Sequence, residues 1–483
     1  MIRLAPSIDT LTTAERHGLD LLIDLARLVP VADAHADVVR IEVVEQDGGG
    51  SDLRTCLARR WDLGREDGVV RVPRATLRMM TELAGGGAEH RVTRRDRHGR
   101  VPSADNPLVR QGLEQAPVVS QAGAALRDAV LASAGRRIVR LVAPWPGGAR
   151  WAAAFTHDLD VVALWPLFTL LRLLELGRKG EAARCARVLG AAAGAGGRDP
   201  VWQGVRAVLD REQEHGVTST WFVLCGTPTA ATLRAGDLTY RPESPPARRI
   251  VAELGERRCE VGLHGSFATA VHDDVLAEQR TRLSRLVGRE IPGIRQHFLR
   301  LRPGATHRGM AAAGFRYDAT YGFPDRNGFR LGVADVVPAW DPERATPLPL
   351  AEVPLCWMDR ALSKYRGVED PEAWVRDGLG LADAVRDVEG LWVGVWHPNL
   401  TPALGFPGAP EAFGALLGGI VAHRPFLATL ERMVEWRAAR RSVRVRRVAP
   451  DGRVDAVAAG QPIVAPVLED ATGRPLEQVT GRG

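Results

Sequence analysis

The segment Phe155-Thr156-His157-Asp158-Leu159-Asp160 follows the apolar run Trp151-Ala152-Ala153-Ala154 and sets two carboxylates two positions apart. Read as a buried strand, the run has a period of two that turns Asp158 and Asp160 to the same side at the strand's end. Two aspartates facing one pocket either repel, so that one keeps its proton, or share the labour around a metal ion. The competing reading is a helix N-cap followed by a first-turn acid. Further polar residues at the ends of apolar runs weigh against it: Gly262-Leu263-His264-Gly265-Ser266, Arg295-Gln296-His297, Tyr317-Asp318-Ala319-Thr320 and Trp396-His397-Pro398-Asn399. Histidines, an aspartate pair and an arginine recurring at C-terminal strand ends favour a site over scattered structural residues. His157 alternates away from the aspartates and reads as a strand buttress.

The elements that must position these residues begin after Pro144-Trp145-Pro146-Gly147-Gly148, a turn-rich boundary. Short apolar strands are expected at 152–155, 218–224, 259–263, 293–297, 315–319, 350–356 and 391–396. Helices are expected at 246–254, 271–286, 371–388 and 409–435. This alternation predicts an α/β fold over residues 149–440, a barrel or an open parallel sheet, with chemistry in either case at the C-terminal ends of the strands. A distorted (β/α) barrel is the expectation adopted. Residues 1–148 are expected to form an N-terminal α/β domain of undisclosed role. Its first helix should be capped by Asp9 or Thr10 and run to Leu28, with Gly18 an interruption. Gly85-Gly86-Gly87 follows a helical pattern instead of opening one and reads as a loop. Residues 441–483 are expected to be a small C-terminal β-hairpin extension, partly disordered, turning at Pro450-Asp451-Gly452.

The chain of 483 residues has 64 basic and 58 acidic side chains and a formal charge of +6. Lysine occurs only at 179 and 364, and acids are interspersed throughout, so the arginine runs 91–100 and 437–447 read as solvated surface. No nucleic-acid partner is expected. The five cysteines at 56, 185, 225, 259 and 356 form no Cys-x-x-Cys pair, the pattern of a reduced cytoplasmic protein. The most apolar helix candidate, 161–176, is interrupted by Pro166 and Arg172 and too short to span a bilayer. No apolar signal core is read near the N-terminus, so the expectation is a cytoplasmic protein without a membrane span.

The segment Gly293-Ile294-Arg295-Gln296-His297-Phe298-Leu299-Arg300 looks like an Arg-x-His motif. Tyr317-Asp318-Ala319-Thr320-Tyr321-Gly322-Phe323, followed by Asp325-Arg326 and Gly328-Phe329-Arg330, is similar to a second signature. In this order, after Thr156-His157-Asp158-Leu159-Asp160, they resemble the polysaccharide deacetylases, carbohydrate esterase family 4. The likeness is to a bacterial branch with a Thr-His-Asp-x-Asp first motif, over roughly residues 150–440. The resemblance implies that Asp158 is the general base and that Asp160 and His264 ligate a divalent metal, with zinc expected. It also implies that Arg295 orients the base and that His397 protonates the departing amine. The family's second motif usually reads His-x-x-x-His, whereas the position four after His264 is Ala268, and His272 is eight residues away. His297 is expected to replace the missing ligand, with Ser266 or water as alternatives. Arg326 and Arg330 are candidates to hold an anionic part of a substrate, or else form a salt-bridged loop. Asp318 is a candidate substrate residue or an ion-pair partner of Arg295 or Arg326. Trp340, Trp357 and Trp396 offer sugar-stacking faces or core packing.

The expected function is therefore a metal-dependent hydrolase that removes an acyl group, acetyl first, from an N-acylated amino sugar or glycoconjugate. Its substrate would be a small molecule or glycan. Two rivals keep the barrel: a metal-independent hydrolase of amides or cyclic ureides, and a non-catalytic barrel that binds a glycan or protein partner.

Overall fold

The computed structural model describes the whole chain apart from residues 33–35, 46–60, 62, 164–165, 195–197, 231–235, 238, 450–452, 460–464 and 482–483. Its main sheet uses strands β1 (Ala152–Leu159), β2 (Thr220–Leu224), β3 (Glu260–Gly265), β4 (Gly293–Gln296), β5 (Tyr317–Asp318), β6 (Val337–Asp341), β7 (Thr346–Glu352), β8 (Trp357–Met358) and β9 (Leu391–Val395). They are arranged in the order β6-β7-β5-β4-β3-β2-β1-β9-β8, and the short strand Phe426–Leu427 pairs beside the start of β1. Neighbours are parallel except the β6–β7 pair. The fold is α/β, with the sheet curled into a half barrel.

Parallel strands covered on both faces must bury every side chain, which explains the near-continuous apolar runs. All eight residues of β1 are buried. Its polar members survive because each has a partner: Thr156 donates to the Gly394 carbonyl, and His157 lies between the Trp396 carbonyl and Glu212. Between β4 and β5 the chain needs a glycine, because a Cβ on Gly293 would lie 1.9 Å from the Tyr317 ring.

Three expectations shift. The strand read at 350–356 begins earlier, at Thr346, because it forms an antiparallel hairpin with Val337–Asp341; a second, two-residue strand then follows at Trp357–Met358. The single helix read at 409–435 is two helices, Ala409–Ala422 and Leu430–Arg441. Arg424 there is left-handed at φ 51, and Pro425 supplies no N–H to continue a helix. The first helix is Thr13–Leu25, closed by a capping box between Thr12 and Glu15 instead of by Asp9 or Thr10. Gly18 is no interruption: a Cβ there would sit 2.1 Å from the Leu77 carbonyl oxygen, so the glycine lets two helices touch.

The regions are tied together by charge. Helix Thr13–Leu25 ends beside Asp24, which takes Arg437 at 3.0 Å and Arg441 at 2.7 Å. Arg437 is fully buried and Arg440 nearly so, which corrects the reading of 437–447 as solvated surface for its first half; Arg444, Arg446 and Arg447 are exposed as expected. The helix Leu430–Arg441 turns one face onto the first region, and Arg437 and Arg440 on that face are buried because acids wait there. Arg27 joins Glu389 and Glu469 in a second buried cluster. The C-terminal strand Val467–Glu469 pairs with Leu141–Val142, and Arg444–Val448 forms an antiparallel pair with Val454–Ala458. The turn expected at 450–452 lies outside the described residues, as does Cys56; the other four cysteines are free thiols. No described helix is long and apolar enough to cross a membrane.

Removing one partner of a buried charge network leaves the others uncompensated. Asp24→Asn is therefore expected to lower unfolding free energy by about 3–5 kcal/mol. Denaturant titration of both proteins measures this, and a variant as stable as the parent would contradict it.

Candidate functional site

Period-two geometry at the end of β1 places Thr156 and Asp158 on the face opposite His157. From β4, Arg295 reaches across to them. Its guanidinium, fully buried over the Phe222 ring at 4.3 Å, donates to Asp158 Oδ1 at 2.7 Å, to Thr156 Oγ1 at 2.9 Å and to the Ala319 carbonyl at 2.9 Å. Burial alone pushes the Asp158 carboxyl up. Arg295, followed by His264 and His397, more than offsets this and holds it below the ordinary carboxylate range.

Next to it lies a convergence of three ligand-type side chains. Asp160, His264 and His297 each offer an atom, all within 4.8 Å of one another. His264 Nε2 is 3.2 Å and His297 Nε2 3.7 Å from Asp160 Oδ1, a buried oxygen with no hydrogen-bond partner. The opposite ring nitrogens fix the tautomers. His264 Nδ1 lies 2.9 Å from the Arg295 carbonyl, which can only accept, and His297 Nδ1 lies 3.0 Å from Asp237 Oδ1. Both Nδ1 atoms therefore carry the hydrogen, leaving both Nε2 lone pairs turned toward Asp160. One carboxylate and two imidazoles so oriented, each with an outer partner, fit a divalent cation.

His297 owes its place to an unusual turn. Phe298 and Leu299, directly after it, are left-handed at φ 62 and φ 53. That conformation costs roughly 1–2 kcal/mol per residue and needs support from outside. The support comes from the first region: His98 stacks on the Phe298 ring at 4.5 Å, and Arg100 donates to the Phe298 carbonyl at 2.8 Å. Arg100, expected in a solvated run, is buried.

His397, just beyond β9, completes the cleft. Its Nε2 is 3.6 Å from Asp160 Oδ2, and its Nδ1 donates to Asp359 Oδ1 at 2.6 Å. Burial pushes the His397 pKa down, but Asp359 and then Asp160 and Asp158 leave it above the ordinary histidine value. Asp158, Asp160, His264, His297 and His397 all line one cleft of about 190 Å³.

The other expected site residues lie elsewhere. Arg330 is buried in a two-pronged pair with Glu89 at 2.8 Å and also donates to the carbonyls of Gly322 and Val101. Arg326 lies against Asp325 and Glu114. Neither lines the cleft; their charges are spent on these loops. Trp340, Trp357 and Trp396 are core residues, none more than 5% exposed.

Asp318 belongs to a second buried cluster, with His307 and Glu352. His307 Nε2 is 3.5 Å from Asp318 and 3.3 Å from Glu352. Here the tautomer is reversed. Gly304 N–H donates to His307 Nδ1 at 3.2 Å, so in the neutral ring the hydrogen sits on Nε2 and faces the carboxylates. The ring therefore turns an N–H, and not a lone pair, toward the two acids.

Asp237 and Asp359 were not foreseen. Asp359 follows the apolar pair Trp357-Met358 and was within reach of the strand-end signal; Asp237 sits in irregular chain, which carries no periodic signal.

No family model matches the chain, and no curated protein matches it. Three solved structures are similar. A Mycobacterium smegmatis protein named for the polysaccharide deacetylases is 22% identical, with TM-score 0.40 over 60% of this chain and 91% of that one. The Puue allantoinase is 14% identical, with TM-score 0.40 over 60% and 91%. A Pseudomonas aeruginosa PAO1 protein, also named for the polysaccharide deacetylases, is 17% identical, with TM-score 0.39 over 60% and 92%. At such identities the chemistry rests on the residues of the cleft itself.

The second cluster generates a pH dependence. Burial, then the like charge of Asp318, pushes the Glu352 pKa up from 4.5 to about 8. A raised folded-state pKa adds stability below 4.5 that is lost as pH rises through about 8. The slope is about 1.4 kcal/mol per pH unit for each extra proton held by the fold. Glu352→Gln should flatten the loss of stability between these limits, read from denaturation midpoints at a series of pH values. An unchanged slope would assign it to other groups.

Proposed function

We propose that the cleft hydrolyses an N-acyl bond, acetyl first, of an amino sugar or glycoconjugate, with a divalent cation held by Asp160, His264 and His297. One observation carries the reading. A buried ionised carboxylate, a convergent Asp-His-His set and a carboxylate-backed histidine open into the same small cleft. The sugar class follows from the motif resemblance. Zinc suits one carboxylate and two imidazoles with positions left open.

A cation bound there would polarise the acyl carbonyl and lower the pKa of the attacking water. Asp158 takes that water's proton. Arg295 keeps the Asp158 carboxylate ionised and fixes its orientation through Oδ1, leaving Oδ2 toward the cleft side where His264 Nε2 lies 3.8 Å away. The depressed pKa makes Asp158 a weaker base but guarantees that it is unprotonated at every working pH. His397 gives its Nε2 proton to the departing amine, which must leave neutral. Asp359 accepts from Nδ1, fixes the ring, and favours the imidazolium that the step requires. Asp237 plays the corresponding orienting part for His297.

Asp158→Asn should lower kcat by about 10²–10⁴, measured as acetate released from N-acetylated amino sugars per folded protein. It should also cost about 3–5 kcal/mol of stability because Arg295 loses its buried counter-charge. Near-parental turnover would remove Asp158 from the mechanism. Asp237→Ala should weaken zinc binding about 10–100-fold in a competitive chelator titration. Equal affinity in the two proteins would mean that His297 is not a ligand.

A further inference from the structure

Two cations of the cleft, Arg360 and Lys364, have no part in the proposed hydrolysis. Arg360 follows Asp359, the partner of His397, and lines the same cleft as Asp158, Asp160 and His397. It is half-buried, and its guanidinium lies 5.2 Å from the Phe406 ring. Yet among the described residues it makes no hydrogen bond and no ion pair. The other arginine of the cleft is different: Arg100 is engaged by Asp96 and by the Phe298 carbonyl. Arg330 is likewise consumed by Glu89.

Lys364 stands four positions further on, within a single π-helical turn, Ala361–Tyr365. It lines the cleft too, exposed, with its Nζ 5.6 Å from the Tyr365 ring, and among the described residues it forms no ion pair with a carboxylate. Lysine is present at only two positions in the chain, and this is one of them. Burial lowers the pKa of Arg360, with Asp359 and Asp160 opposing, but a guanidinium remains charged throughout the working range. Asp359 and Asp160 act on this half-buried charge only through space, so among the described residues its N–H groups have no acceptor in the cleft. Its natural complement is an anionic oxygen group that arrives with the substrate. A guanidinium can take such a group with two parallel hydrogen bonds, and an ammonium can add a point charge.

We propose that Arg360 and Lys364 form an anion subsite, so that the substrate carries a phosphate or carboxylate on the same molecule as its acyl amide. The subsite rests on the deacylase reading for the identity of the neighbouring bond, but not for the anion. It takes the part that the sequence offered to Arg326 and Arg330.

The test compares equilibrium binding and turnover separately on the zinc-loaded protein. Calorimetric titration would use N-acetylglucosamine, its 1-phosphate, its 6-phosphate and N-acetylmuramate. At least one anionic sugar should bind about tenfold or more tighter than the neutral one, the effect of a charge-assisted hydrogen bond. The phosphate and muramate arms separate phosphate from carboxylate. A bound cation attracts anions by itself, so the deciding protein is the double variant Arg360→Met, Lys364→Met. It should lose the preference while keeping its melting temperature, since neither side chain is ion-paired, and Arg360→Lys should restore part of it. Equal binding of neutral and anionic sugars, or a preference that persists in the double variant, would overturn the subsite. Anion-dependent binding lost in the variant, with no acetate released from any sugar, would leave the subsite standing and sink the deacylase reading. Acetate release at equal rates from neutral and anionic sugars, with equal binding, would do the reverse.

Discussion

A fully buried guanidinium, that of Arg295, is the constraint on which the cleft depends. Its side chain binds Thr156 and Asp158 at the end of β1 and the backbone beyond β5, while its own carbonyl, on β4, accepts from His264 at the end of β3. Four strand ends are thus fixed by one residue. A buried positive charge tolerates no loss of its carboxylate, and the carboxylate tolerates no loss of the guanidinium. The geometry of the proposed base and of the first proposed histidine ligand is therefore set by the same group. Phe222, whose ring lies beneath the guanidinium, and Gly262, where a Cβ would lie 2.7 Å from that ring, make the space for it.

Two buried clusters of histidine and carboxylate sit in one fold, one with a single acid and two histidines, the other with two acids and one histidine. They differ also in the hydrogen-bond direction behind the ring. Where the outer ring nitrogen of histidine faces an acceptor, the inner nitrogen keeps a lone pair for a cation; His264 and His297 are of this kind. Where it faces a backbone N–H, as in His307, the inner nitrogen of the neutral ring carries the proton and has no lone pair to offer a cation. Composition already favours the first cluster for a cation, since it has one acid to two imidazoles, and the group behind each ring decides which nitrogen is free.

This also marks what could be read from the sequence. Asp158, Asp160, His264, Arg295 and His397 were legible because each ends an apolar run, and strand periodicity is a local signal. His297 was legible as a candidate because Ala268 left a place to fill. The parallel strands and the α/β architecture followed from the same alternation. Asp237, Arg360 and Lys364 lie on irregular chain and a π-helical turn, where no periodicity points them inward. Arg330 and Asp318 carried a plausible motif, yet Glu89 and His307, distant in sequence, claimed them. The buried arginines at 437 and 440 were misread for the same reason: their acids, Asp24 and Asp335, are far away in the chain.

The left-handed turn after His297 ties the first region to the cleft. His98 and Arg100 hold Phe298 in a conformation it would not choose alone, and His297 points at Asp160 as a result. Docking of residues 98–100 and placement of this imidazole are then two sides of one equilibrium. By linkage, whatever binds the placed imidazole also tightens the docking, and whatever loosens the docking weakens that binding by the same factor. The first region, silent in its own sequence about chemistry, thereby shares in the shape of the cleft.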